Sequence, residues 1–231
     1  MSETVGRGLG WRIGYTVAGF VPFAAVSAVQ LVTKYSNDLP LDHVTKALEM
    51  PTLALGAAIS LVGARRRPRL VVLIGLTAGL LFSWLGDVVL DSDLRIGLLF
   101  FLLAHAAYIV MFALAYRGRR PSWWALLAIP WFVGLLLLLA PVLGGMLALV
   151  AVYGLVLGAM AVMATRGNVL TAVGGLLFVA SDTILALRLF TGMLGGDTWE
   201  FVVMLAYLAA QTLLVAGVGL DTPPATRPAR S

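Results

Sequence analysis

Apolar runs fill most of this chain, and short polar breaks divide them into eight stretches, near 13–33, 45–64, 70–90, 96–116, 122–140, 141–164, 168–190 and 199–220. Each has the length, about 17 to 25 residues, that an α-helix needs to cross the hydrocarbon core of a bilayer. The least marked division separates the fifth and sixth runs, where only Ala140-Pro141 and the glycines Gly144 and Gly145 interrupt the pattern. Proline resists helix interiors, and a single helix of more than about 40 residues would outrun the bilayer, so a tight turn is predicted at Pro141. The expected fold is all-α, a polytopic membrane bundle of eight transmembrane helices.

Composition agrees. Of 231 residues, 61% are hydrophobic and 12% charged, where an ordinary soluble domain has about a quarter of its residues charged. No polar segment is long enough for a separate soluble domain, so residues 1–231 read as a single membrane domain. Its core is 13–220, with a polar N-terminus at 1–12 and a disordered tail at 221–231. The Gly-rich, polar start from Met1 to Trp11 does not look like a cleavable signal. Cysteine is absent, which excludes a disulfide framework, Cys-ligated metal and a thiol nucleophile.

The charged residues orient the bundle. With eight helices, one face receives Arg7, Arg12, Arg65, Arg66, Arg67, Arg69, Arg117, Arg119, Arg120, Arg166, Arg227 and Arg230, which are 12 of the 16 basic residues. The other keeps Lys34, Lys46, Arg95 and Arg188. The positive-inside rule then places both termini in the cytoplasm of a multi-pass protein of the cell membrane. The net charge of +5 reports this orientation; without interleaved aromatics, the loop arginines do not form a nucleic-acid surface.

Against this background two aspartates stand out, Asp87 in GLLFSWLGDVVL (79–90) and Asp182 in GGLLFVASDTILAL (174–187). A carboxylate at membrane depth is costly and usually faces a polar interior. Their helices, the third and seventh, run outward in parallel, which brings the two acids to similar depth. Ser83 and Ser181 flank them. Further polar positions fall at helical spacing: Lys46 and Glu49 on the second helix, His105 and Tyr108 on the fourth, Tyr153 on the sixth, Tyr207 and Gln211 on the eighth. If these faces converge, they build an ionisable pocket between helices that opens toward the outer face. Each also has a plainer reading: interfacial packing for the tyrosines, a carbonyl-bonded histidine, an ion pair of Lys46 with Glu49, an interhelical bond or a salt bridge to Lys46 for the aspartates. Asp91, Ser92 and Asp93 read as solvated loop residues. Gly154, Gly158 and Gly174 read as close helix packing.

No HExxH, G-x-S-x-G or phosphate-cradling loop is present. What remains is carboxyl chemistry. Two acids close together in a desolvated site do not readily both ionise, so one carries a proton while the other stays a carboxylate. That combination suits cleavage of an acetal-like bond through an oxocarbenium-like state. A proton-coupled small-molecule transporter would use buried acids equally well.

LLFSWLGDVVL (80–90), GLLFFLLAHAAYIVMF (97–112), VYGLVLGAMAVM (152–163), GGLLFVASDTILALRLF (174–190) and MLAYLAAQTLLVAG (204–217) together resemble the lysoplasmalogenase family of YhhN-like membrane proteins. The resemblance runs from about Lys46 to Gly217. In TKALEMP (45–51) the chain departs from the Lys-Pro pair of that pattern, with Ala47 in the proline position, so the carry-over rests on the aspartates. The resemblance implies hydrolysis of the vinyl ether bond of lysoplasmalogens, of the lyso-glycerophosphocholine or lyso-glycerophosphoethanolamine type, with release of a fatty aldehyde. It implies Asp87 and Asp182 as catalytic groups. His105, Tyr108 and Gln211 would orient water or bind glycerol hydroxyls, and Lys46 would meet the phosphate, with no metal and no cofactor required. A hydrolase of the same fold acting on another membrane ether lipid is the neighbouring alternative.

Overall fold

The computed structural model describes residues 2–36, 39–63 and 69–221. Among them are eight α-helices: α1 (Ser2–Ser36), α2 (Leu39–Gly63), α3 (Leu70–Val89), α4 (Leu94–Ala115), α5 (Ala128–Leu143), α6 (Leu147–Ala164), α7 (Val169–Thr191) and α8 (Asp197–Asp221). The tail expected at 221–231 lies, beyond Asp221, outside the described residues.

The all-α polytopic bundle is as expected, but among the described residues six stretches, one of them holding two helices, have the length and apolarity of a membrane crossing, fewer than the eight crossings expected. α2 is not among those six stretches. Trp123–Ala164 forms one apolar stretch of 42 residues that holds both α5 and α6. The break within it is also displaced from its expected place. The helix continues through Pro141 to Leu143, and the chain turns at Gly144, whose φ of 50° is one that glycine adopts without a Cβ penalty. The two helices then fold back on each other, with Phe132 against Gly154 and Trp131 against Gly158.

Contacts between helix ends establish the alternation of direction. At one end Arg69 donates to the Ala115 carbonyl, Arg119 to Asp221 and to the Gly167 carbonyl, and Arg166 to the carbonyls of Tyr116 and Arg119. At the other, Lys34 meets Asp42 and Glu200, Arg188 meets Glu200, and Lys46 meets Asp91. The six basic residues in these contacts are thus sorted as their spacing predicts. Local signals set the ends. Asp93 caps α4 by accepting from the N–H groups of Arg95 and Ile96. Asn168 and Thr171 form a capping box at α7, and Gly192, at φ 67°, closes that helix. Asp91 and Asp93 are exposed, as read from the sequence, and in addition form an ion pair and a helix cap.

Inside helices, the same accounting joins neighbours. Pro51 has no N–H to offer the carbonyl of Ala47 four residues back, and Trp84 of α3 donates its indole N–H to that carbonyl at 2.9 Å. Between α3 and α4 the fit depends on three glycines. Gly75 faces Met111, Gly79 faces Tyr108 and Gly86 faces Phe101, so the helices approach closely where Cβ atoms would stand.

A Cβ added at Gly79 would overlap the fully buried Tyr108 ring. Gly79→Ala is expected to lower stability by about 1–3 kcal/mol in unfolding measurements on purified protein in detergent. Gly134→Ala, in α5 where nothing lies within 4 Å of the new methyl, is expected to change it by less than about 0.5 kcal/mol.

Candidate functional site

A cavity of about 160 Å³ lies between α3, α4, α5, α6, α7 and α8, on the side where Lys34, Lys46 and Arg188 end. That is room for several waters. Asp87 and Asp182 both line it. Asp87 comes from the last turn of α3, and Asp182 from the middle of α7.

Each carboxylate receives one phenol. The Tyr207 hydroxyl donates to Asp87 Oδ2 at 2.7 Å, and the Tyr153 hydroxyl donates to Asp182 Oδ2. Neither tyrosine is therefore merely packed or interfacial. Behind Tyr207 the network runs deeper: Gln211 donates its amide N–H to Ser83 Oγ at 2.9 Å and to the Tyr207 oxygen at 3.4 Å, while its carbonyl accepts from Tyr108 at 3.1 Å. Ser83, Tyr108 and Gln211 are buried behind the cavity wall and support Tyr207 from below.

Behind Tyr153 stands His105, with Nε2 3.3 Å from the phenol oxygen and 3.8 Å from Asp182 Oδ2. Because Tyr153 gives its proton to Asp182, its oxygen is left to accept from His105, which assigns the imidazole proton to Nε2. His105 Nδ1 is buried and makes no hydrogen bond among the described residues. Phe178 separates the two halves of the site, edge-on to His105 at 5.1 Å and to Tyr207 at 5.6 Å.

The structure brings Lys46, Asp87, Tyr153, Ser181, Asp182 and Tyr207 to the cavity wall. Ser181 spends its hydroxyl on the Val203 carbonyl at 3.0 Å, which ties α7 to α8 beside Asp182. Lys46 and Glu49 do not pair. Lys46 bonds Asp91 at 2.6 Å, so neither the expected ion pair with Glu49 nor a bridge to the two aspartates forms. Glu49 is fully buried, and its carboxylate oxygens make no hydrogen bond among the described residues.

Sequence reasoning missed Lys34, Asp91, Arg188 and Glu200 as lining residues, and Phe178 as the ring packed against both His105 and Tyr207. For two of them a signal existed: Asp91 follows Asp87 by four residues, and Glu200 precedes Tyr207 by seven, so each shares a helical face with a group already singled out. Lys34 and Arg188 carried none beyond their charge.

The walls are apolar, with Leu90, Leu94, Leu98, Leu135, Leu136 and Leu139 among them. Two hydrogen-bonded carboxyl groups at the end of such a chamber can exchange a proton with a bound apolar molecule and hold a water beside it.

No curated protein and no solved structure matches this chain. A family model does: that of the YhhN family, over residues 41–218. The match takes in both aspartates, both tyrosines and every lining residue except Lys34, and on that extent this multi-pass membrane protein belongs to the YhhN family.

Proposed function

We propose that this protein is a hydrolase of the lysoplasmalogenase type, cleaving the vinyl ether bond of a lysophospholipid in the cell membrane. The observation that carries the reading is that Asp87 and Asp182, from two different helices, line one apolar-walled cavity, each with its own phenol donor. An alkenyl chain would lie along the leucines and the polar head toward Lys34, Lys46 and Arg188. With the Arg69, Arg119 and Arg166 end taken as cytoplasmic, the cavity faces the outer leaflet.

In the reaction one carboxylic acid protonates the β-carbon of the vinyl ether, and the double-bond electrons leave an oxocarbenium ion at the α-carbon. The other carboxylate stabilises that cation and takes a proton from water as its oxygen bonds the α-carbon. The hemiacetal so formed collapses to a fatty aldehyde and the glycerophospho-alcohol, and the two carboxyl groups have exchanged roles through the proton gained and the proton lost. Tyr153 and Tyr207 fix the carboxylate rotamers.

Transport is the weaker reading. Toward the arginine-rich end the bundle is filled by Met111, Phe112, Met160, Leu214, Val215 and Val218, each at most 2% exposed, so the cavity has the form of a pocket with an apolar floor.

Purified protein incubated with a lysoplasmalogen is expected to release aldehyde, with Asp87→Asn and Asp182→Asn each slower by at least about 100-fold. Folded wild type that releases none rules out this substrate; activity on another ether lipid would keep the chemistry and change the lipid. Proton-coupled uptake into liposomes, lost in the same variants, would replace the hydrolase reading by transport.

Tyr153→Phe and Tyr207→Phe keep the ring and remove the donor. Each is expected to lower kcat by about 10- to 100-fold, the worth of one hydrogen bond to a charged group, with KM little changed in steady-state aldehyde release.

A further inference from the structure

Three cations reach the cavity wall at its mouth, Lys34 from α1, Lys46 from α2 and Arg188 from α7. They are not equivalent. Lys46 is held by Asp91 at 2.6 Å. Lys34 and Arg188 instead share a carboxylate, with Lys34 Nζ 3.0 Å from Glu200 Oε1 and Arg188 Nη2 3.4 Å from Glu200 Oε2; Lys34 also meets Asp42 Oδ2 at 3.0 Å. One acid of α8 thus draws together two cations from helices far apart in sequence. The Arg188 contact is long for a charge-assisted bond, and the Glu200 side chain is 41% exposed, so its hold is weak. Arg188 Nε, moreover, is buried and makes no hydrogen bond among the described residues. A guanidinium with a vacant donor beside an ammonium group is a fitting receptor for phosphate oxygens.

We propose that Lys34 and Arg188, positioned by Glu200, form the subsite for the phosphate group of a lysophospholipid whose chain lies in the cavity. This rests on the reading of a lipid as substrate. It moves the phosphate from the single ammonium group of Lys46 to a pair of cations of which one lies outside the family match. The spacing along α7 agrees. Arg188 follows Asp182 by six residues, a rise of about 9 Å, and the vinyl ether carbon is separated from phosphorus by about six covalent bonds, roughly 7 Å when extended. The length of the arginine side chain covers the difference.

Binding tests this without turnover. Wild type in nanodiscs is titrated with three probes that displace a fluorescent lysolipid: a saturated 1-O-alkyl-glycerophosphoethanolamine, the 1-O-alkylglycerol of the same chain, and inorganic phosphate. The phospholipid is expected to bind about tenfold or more tighter than the alkylglycerol. Lys34→Gln and Arg188→Gln should each erase most of that difference and leave alkylglycerol affinity unchanged. Arg188→Lys keeps the charge beside Glu200 and lacks the Nε donor; it should fall between, and serves as a folded reference. Equal affinity for the two lipids in wild type, or discrimination intact in the Gln variants, overturns the subsite. Inorganic phosphate that displaces the fluorescent lipid as well as the lysophospholipid does also overturns it, because the ligand is then the free ion. Discrimination without aldehyde release keeps the subsite and removes only the proposed reaction.

Discussion

Two carboxyl groups inside an apolar bundle must each find a donor, and the arrangement of the inner helices follows from how that is met. Burying an ionisable group without a partner costs several kcal/mol. Here α8 supplies Tyr207 to Asp87 and α6 supplies Tyr153 to Asp182, so α3 is tied to α8 and α6 to α7 through one polar layer. Gln211 then satisfies Ser83, Tyr108 and Tyr207 together. A half-satisfied layer would be worse than none, and most of its members are closed; Glu49 and His105 Nδ1 are the exceptions, both beside the site.

The rest of the bundle is built to let that layer close. Glycines at 75, 79 and 86 bring α4 against α3, which places His105 beside Asp182 and Tyr108 against Gln211 beneath Tyr207. Gly174 does the same between α7 and α8, where it backs onto Ala210 and Leu214. Charged side chains are pushed to the two ends, and their pairs join helix termini: Arg119 with Asp221 at one, Glu200 with Lys34 and Arg188 at the other. The chamber between has a polar layer, an apolar floor and a charged rim.

Much of this was legible in the chain because membrane helices are read from length and apolarity, and buried acids in such helices are few. Asp87, Asp182 and their tyrosines could be named from polarity alone. What polarity did not reveal was pairing. Lys46 and Glu49 share a helical face, yet Lys46 reaches Asp91, because three-apart spacing fixes direction and leaves the partner to the packing of α2 on α3. The turn expected at Pro141 came at Gly144: proline costs a helix only one bond and a kink near its end, whereas the reversal needed a backbone angle that glycine supplies. Lys34 and Arg188 stayed hidden for a related reason. Charges at a helix end look alike in sequence whether they face water or a chamber.

The bond from Trp84 to the Ala47 carbonyl bears on how this sequence can change. Pro51 opens a gap in one helix, and a side chain of the next fills it, so the gap acts as a register mark between α2 and α3. Restoring an N–H at position 51 would close the helix upon itself and strand the indole; losing the indole would strand the carbonyl. Positions 51 and 84 thus form a coupled pair, and drift at either one is constrained by the other even though neither lines the chamber.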